Sequence, residues 1–522
     1  MKKDFFINFH SGSDKNSEIL LFLLFFSIVV FFLILFVRLF QLSITKGNYY
    51  LTLSEQNRVK EVSIEAPRGS ILDRKGYIVA KNTSINTYSN DDKKTISKRL
   101  YQSPEAIAHL IGYRQIASAD DLKNDTCFQK LTLGDKVGKK GVEKIFECQL
   151  RGKPGKKIVE INASGKYLKT IDIIKPVAGE NIQLAFDFEL QKKIYQLIEE
   201  KKAAVIITSP KTGEIISLVS SPSFNIQSFE NGDQNINQYL ENKSKPLFNR
   251  VTEGTYPPGS LFKVIVATAA LEEKIITEKT EIEDKGTITA GPIKFGNWYF
   301  LQYGKTEGMV NITKAIKRSN DIFFYTVGEK TGVEKIKKWA EIYGLGKETN
   351  FGFDESEGLI PSSFWKQETL KEQWYLGDTY NFSIGQGYIL TTPLQMALVN
   401  ATIANNGYYC QPKLLKNDPP NCKKLPISQA TLNLIKEGMK EACSPGGTGW
   451  TLFDFKPQTA CKTGTAESHG EKTLPHAWIS VYAPYENPQI AVTVLIEEGG
   501  QGSDVAGPIA KEILKAYFER KE

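Results

Sequence analysis

The stretch TYPPGSLFKVIVATAALEEKII, residues 255–276, sets two prolines and a glycine directly against an apolar run of helical composition. The prolines and Gly259 impose a sharp, low-entropy turn, and the run from Leu261 to Ile276 predicts a helix of about four turns. Ser260 stands at the junction, near the helix amino terminus, where unpaired amides and the helix dipole favour an anion. Lys263 lies three residues on, so its amine projects from nearly the same face as the serine hydroxyl. Held unprotonated by burial or by another cation, Lys263 acts as a general base that makes Ser260 nucleophilic. A capping serine beside a surface lysine is built from the same residues, so the rest of the chain has to decide.

The Ser-x-x-Lys spacing also occurs at Ser43/Lys46 and Ser363/Lys366. The first lies beside a long apolar run and the second in the loop IPSSFWKQ, and neither context exposes a strained hydroxyl. A second motif discriminates better, because Lys-Thr-Gly accompanies Ser-x-x-Lys in some serine enzymes. It stands at 211–213, 330–332 and 462–464. Lys211 to Gly213 falls in SPKTGE, between the strand-like runs AAVIIT and EIISLVS, and predicts a hairpin turn. Lys330 to Gly332 falls between two helical patterns, with Gly332 in the place of a helix terminator. Only ACKTGTAES, residues 460–468, is unexplained by local structure, and HAWISVYAP and IAVTVLIEE after it read as two further strands.

Between these two motifs, KAIKRSNDIFFY places Ser319, Asn320 and Asp321 at the start of an apolar helix. A helix cap would use the same residues. Their order along the chain favours a proton relay instead: Ser260, Ser319 and Lys462 follow one another as Ser-x-x-Lys, a Ser-x-Asn-like triplet and Lys-Thr-Gly.

The rest of the sequence bounds the setting. At 522 residues the chain is longer than one ordinary domain, and its apolar and charged fractions are those of a folded protein. The net charge of +7 comes with no basic block or aromatic-basic interleaving, which argues against nucleic-acid binding. Ile19 to Val37 is apolar throughout except Ser27, long enough to span a hydrocarbon core, and followed by bulky residues where a signal peptide would have a cleavage site. An uncleaved anchor is expected, with a tail at 1–18, the span at 19–42, and the remainder as one ectodomain. All six cysteines fall in that remainder. Sequence proximity suggests the pairs Cys127–Cys148, Cys410–Cys422 and Cys443–Cys461. With no CxxC and four histidines, a structural zinc site is not expected.

VSIEAPRGSILDRKGYIVAKN reads as two strands around a turn at Asp73 to Gly76. Residues 90–180 mix short helical pieces with glycine-rich loops and show no continuous apolar pattern, which predicts an irregular non-catalytic module. The texture changes near Val177 to Ala185, giving expected domains at 43–180 and 181–522.

Taken together, APRGSILDRKG (66–76), HLIGY (109–113), RGKPG (151–155), NRVTEGTYPPGSLFK (249–263), WYLGDTYNFSIGQGY (374–388), TTPLQMA (391–397) and CKTGTAES resemble the class B penicillin-binding proteins, and among these the elongation-type transpeptidases. The resemblance implies an α+β architecture: an anchor helix, an elongated mixed pedestal of dimerisation type, and a transpeptidase domain with a five-stranded antiparallel sheet flanked by helices. It implies Ser260 as nucleophile, Lys263 as base, and Ser319 and Asp321 with Lys462 in the relay and charge machinery. Thr463, Gly464, Thr465 and Asn320 would bind substrate, and the amides of Ser260 and Thr465 would form an oxyanion hole. The family's middle motif usually ends in Asn, whereas Asp321 stands here. Some relatives carry a metal-binding His in the stretch aligned with LQYGKTEGM, where this chain has Lys305, so no zinc and no cofactor are expected.

By the same resemblance, the reaction is crosslinking of peptidoglycan stem peptides through a Ser260 acyl-enzyme, with β-lactams as substrate mimics. The expected setting is the bacterial inner membrane with the catalytic domain outside it, beside a SEDS-type glycosyltransferase, since no polymerising module precedes the pedestal. A septal role, a β-lactamase and a non-catalytic receptor for β-lactams or wall fragments are the alternatives. The anchor and pedestal argue against the second. The single membrane segment, with no output module, argues against the third.

Overall fold

The computed structural model describes residues 15–89, 92–162, 165–468 and 473–519, so most of the expected tail at 1–18 lies outside the described residues. The chain forms two units, Met1–Ala66 with Lys153–Val177, and Pro67–Gly152 with Ala178–Glu522.

In the first unit the apolar run is a helix, Lys15–Phe40. Its residues from Asn16 onward are exposed on every side. A helix that is apolar all round is stable only when something apolar surrounds it, and among the described residues this is the one helix long and apolar enough to cross a membrane. After it come an antiparallel sheet of Val59–Ile64, Gly155–Ile161 and Tyr167–Ile174, with Gly155–Ile161 in the middle. Arg58 pairs with Glu160 on the central strand, which Lys169 also reaches at 3.3 Å.

The second unit begins with the turn expected at Asp73. Asp73 Oδ1 accepts the amides of Lys75 and Tyr77 at 2.8 Å each, and Gly76 takes the positive φ of 85° that closes the turn. The flanking segments Ile71–Leu72 and Ile78–Ser89 pair antiparallel, with Asp92–Tyr101 on one side and Ile182–Gln183 parallel on the other.

The interior beside this sheet holds a buried ionic cluster among apolar side chains such as Ile71, Val79, Val142 and Leu150. Glu143, fully buried, accepts from Arg68 Nε at 2.7 Å and Arg99 Nε at 2.8 Å, while Glu147 binds Arg68 Nη2 at 2.7 Å and Arg151 Nε at 2.8 Å. Burial alone would push the Glu143 carboxyl up, but Arg99 and Arg68 hold it at about 2. Paired charges inside a core add no hydrophobic period, so this cluster leaves no apolar pattern in the sequence.

From helix α1 (Phe188–Ile198) onward the chain forms a five-stranded antiparallel sheet with helices on both faces, as expected. Its strands are β1 (Ala203–Thr208), β2 (Ile215–Ser221), β3 (Ala460–Ala466), β4 (His476–Ala483) and β5 (Ile490–Ile496), in the order β2-β1-β5-β4-β3. Successive side chains point to opposite faces. Val205 and Ile207 join α1 and the last helix, α7 (Gly507–Phe518), in one apolar cluster. Ala204 and Ile206 join a second cluster with α2 (Lys263–Glu272), α4 (Asp321–Thr331) and α5 (Pro393–Ala404). Helix α3 (Ile312–Arg318) precedes α4, and α6 (Gln429–Ala442) precedes β3, which is left as a sheet edge.

The structure contains the three disulfides suggested by sequence proximity, Cys127–Cys148, Cys410–Cys422 and Cys443–Cys461.

Candidate active site

Pro257 and Pro258 lead into a 3-10 turn, Gly259–Phe262, that runs directly into α2. Ser260 sits on this turn, half-buried between buried neighbours. Gly259 has φ 53°, and a Cβ there would lie 2.8 Å from Thr465 O, so only glycine lets the serine turn lie this close to β3. Gly464 is the matching position on the strand, where a Cβ would meet Pro258 O at 3.2 Å. Trp478 Nε1 donates to Pro257 O at 3.1 Å and fixes the turn from β4.

Lys263, one turn beyond Ser260, is fully buried. Its Nζ reaches Asp321 Oδ1 at 2.6 Å, Ser319 O at 2.8 Å and Ser319 Oγ at 3.3 Å. Lys462, on β3 and equally enclosed, donates to the same Ser319 Oγ at 2.8 Å and to Thr463 O at 3.0 Å. Ser319 joins α3 to α4 with φ 52°, a left-handed conformation that a serine adopts at a cost, and strain of this kind concentrates at functional sites. The three motifs thus meet at one hydroxyl.

Burial lowers the pKa of the Lys263 amine, with Asp321 opposing. The Lys462 amine is lowered well below the usual lysine value by burial and then by the neighbouring Lys263 charge, again against Asp321. Of the two enclosed amines, only Lys263 bonds the Asp321 carboxylate directly.

The remaining expected residues are placed as follows. Thr463 Oγ1 donates to Thr448 Oγ1 at 2.8 Å, and Thr465 Oγ1 to Gln501 Oε1 at 3.0 Å. Asn320 is fully buried and is not part of the lysine–serine cluster. Its Oδ1 caps α4 through the Phe323 amide at 2.9 Å, and its Nδ2 donates to Asp284 Oδ2 at 2.8 Å.

Asp284 escaped the sequence reading, since a lone Asp in IEDKG gives no signal. Its buried carboxylate also accepts Asn297 Nδ2 at 2.8 Å, Glu307 N at 3.0 Å and Gly286 N at 2.8 Å. Asn297 Oδ1 in turn accepts the Asp321 amide at 3.1 Å, and Trp298 N donates to Asp321 Oδ2 at 2.9 Å. The orientation of Asp321 is therefore set by a network rooted in Asp284.

The other motif copies have structural roles. Gly213 closes the β1–β2 turn with φ 74°, and Gly332 ends α4 with φ 81°. Lys366 is buried against Asp378 at 2.7 Å, and Ser43 lies in the exposed segment after the apolar helix. Among the described residues no group of three or more His, Cys, Asp and Glu side chains is placed to hold a metal ion.

Comparison with known proteins agrees with this geometry. Residues 203–515 match the penicillin-binding protein transpeptidase domain, and residues 85–184 the penicillin-binding protein dimerisation domain. The peptidoglycan D,D-transpeptidase MrdA of Salmonella typhimurium is 30% identical, with 94% of each chain covered. A penicillin-binding protein PBP2 of Helicobacter pylori, solved in complex with MreC, superposes with TM-score 0.78 at 29% identity over 88% of this chain and 99% of its own. A chain from a peptidoglycan synthase complex described as coordinating polymerization and crosslinking gives TM-score 0.78 at 28% identity, over 97% of this chain and 99% of that one. Similarity that runs along nearly the whole sequence, through the strands and turns that carry the cluster, makes the chain a member of the penicillin-binding proteins and a peptidoglycan D,D-transpeptidase.

Proposed function

We propose that Ser260 is the acylated nucleophile, and that Lys263, Ser319, Asp321 and Lys462 manage its protons. The observation that supports this most is the convergence of two buried amines on Ser319 Oγ, at 2.8 and 3.3 Å, next to the serine turn.

In this reading Lys263, in its amine form, takes the Ser260 proton as the oxygen attacks the carbonyl of the penultimate D-alanine of a stem peptide. The oxyanion is held by the amides of Ser260 and Thr465, a type of contact worth roughly 3–4 kcal/mol in the transition state. The proton passes through Ser319 to the leaving nitrogen, D-alanine departs, and the amine of a neighbouring strand attacks the ester to form the crosslink. Thr463 and Thr465 hydroxyls and the Lys462 charge address the substrate carboxylate, whose arrival favours protonation of Lys462. Gly464 admits the peptide backbone at the β3 edge, where it adds main-chain hydrogen bonds. Asn320 supports this surface from behind. A β-lactam follows the first half of the path and leaves a stable acyl-enzyme.

Residues 43–180 serve as pedestal and 181–522 as the transpeptidase domain, held at the inner membrane by the apolar helix with the catalytic part outside the cytoplasm. The partner in glycan polymerisation is a SEDS-type glycosyltransferase, and the pair serves elongation; the similarity to a chain of a peptidoglycan synthase complex supports this assembly.

Fluorescent penicillin tests the assignment. Wild-type protein should retain label through denaturing electrophoresis, and Ser260→Ala should not. Label retained by that variant would place the nucleophile elsewhere.

A further inference from the structure

The segment between α6 and β3 carries an arrangement that the reaction scheme leaves unused. Cys443, which caps α6, is bonded to Cys461, the residue before Lys462. Both cysteines are buried. Gly449 packs on the bridge so closely that a Cβ there would lie 2.5 Å from Cys461 Sγ, and its amide returns to Ala442 O at 2.8 Å. This hydrogen bond closes residues 443–449 into a tight loop, and the disulfide ties the start of that loop to β3. One side of the loop is tied to the middle motif, because Arg318, the neighbour of Ser319, donates to Gly446 O at 2.8 Å. The other side presents Thr448 to Thr463 Oγ1 at 2.8 Å. A single braced loop therefore touches the residues flanking both Ser319 and Lys462.

We propose that Thr448 is a positioning residue for Thr463, aiming its hydroxyl at the substrate carboxylate, and that the Cys443–Cys461 bridge is the strut that holds Thr448 in place. A hydroxyl that must donate to a carboxylate needs its oxygen occupied by another donor, or its proton is free to rotate away. Thr448 can supply that donor, with the hydroxyl pair reversing direction when a carboxylate arrives. The disulfide matters because Thr448 follows two glycines, Gly446 and Gly447, a sequence with high backbone entropy unless its ends are fixed.

The inference rests on the reading above that Thr463 faces a carboxylate, and the test separates the two. The full chain in detergent is acylated with benzylpenicillin and, in parallel, with its methyl ester, and acyl-enzyme formation is followed by intact-protein mass spectrometry. Thr448→Val should lower the second-order acylation constant for the free acid by about tenfold, the scale of one hydrogen bond to a charged group, and leave the ester unchanged. Thr448→Ser should restore the free-acid value. The double variant Cys443→Ala with Cys461→Ala, checked for folding by its thermal transition, should show the same selective loss. Equal losses for acid and ester, or no loss, would overturn the positioning role for Thr448, and in the double variant the strut role of the bridge. A wild-type chain that the free acid acylates no faster than the ester would sink the reading that Thr463 faces a carboxylate, and the inference with it. Failure of the inference alone shows instead as variants that keep the wild-type preference for the free acid.

Discussion

Lys462 Nζ stands 2.8 Å from Ser319 Oγ, a hydroxyl that Lys263 Nζ also approaches, to 3.3 Å. One hydroxyl thus contacts two buried amines, and it can take a proton from one as it hands its own to the other. Ser319→Ala removes that path while leaving the fold intact. The acylation constant for penicillin should fall by about 100-fold or more, the usual scale of a lost acid–base relay, with the thermal transition little changed. A stopped-flow comparison giving less than a few-fold loss would mean that protons move by another route.

In the proposed mechanism the lysines set the pH dependence. Both amines have lowered pKa values because burial disfavours their charged forms, and Asp321 pulls both back up. With Lys263 as the proposed base, acylation uses a neutral amine, so its rate should rise with pH along a limb lying below the ordinary lysine value. Asp321→Asn deletes the upward pull and should move that limb to lower pH, whatever it does to the plateau. A limb that stays in place, or moves upward, would remove Asp321 from this role.

Lys462 also bears on stability. Its folded-state pKa lies well below that of the unfolded chain, which therefore binds the proton more tightly. The folded state is penalised at pH values below the unfolded lysine value, and the penalty fades as pH rises toward it. Lys462→Met keeps the length of the side chain and removes the amine, and it should stabilise the protein near neutral pH while abolishing rapid acylation. Thermal unfolding across a pH series checks the sign, since the gain should shrink toward alkaline pH.

Asp284 accepts four N–H donors, from Asn297, Asn320, Glu307 and Gly286. Asp284→Ala leaves these buried groups without an acceptor, at a cost of about 1–3 kcal/mol for each that water cannot reach. Acylation should fall with stability, because Asn297 no longer holds the Asp321 amide. Asp284→Asn, which retains one acceptor oxygen, should lie between the variant and the wild type in both measurements.

Glu143 tests the buried ionic cluster that it forms with Arg68 and Arg99. Glu143→Ala leaves Arg68 and Arg99 enclosed without their shared carboxylate and should cost about 3–5 kcal/mol, read as a lower denaturation midpoint. Penicillin labelling of the protein that remains folded should be unchanged.

Much of the site could be read along the chain because its parts are local. Pro-Pro-Gly before Ser260, an apolar run after it, and a lysine one turn along are neighbours in sequence, and the strand character of β3, β4 and β5 follows from their composition. The same locality let the other two Lys-Thr-Gly copies be set aside, as a turn and a helix end. Sequence also determined the membrane helix, since a run this apolar has no stable place in water, and proximity was enough to suggest the disulfide pairs.

What only the tertiary structure decided is everything that depends on a contact between distant segments. The burial of Asn320 against Asp284, the sharing of Ser319 by two lysines, the Thr448–Thr463 pair and the charged interior around Glu143 leave no periodic trace, because a polar residue that will be buried looks like a solvated one until its partner is known. The pKa directions belong here as well. They are set by desolvation and by neighbouring charge, and neither exists before the chain has folded.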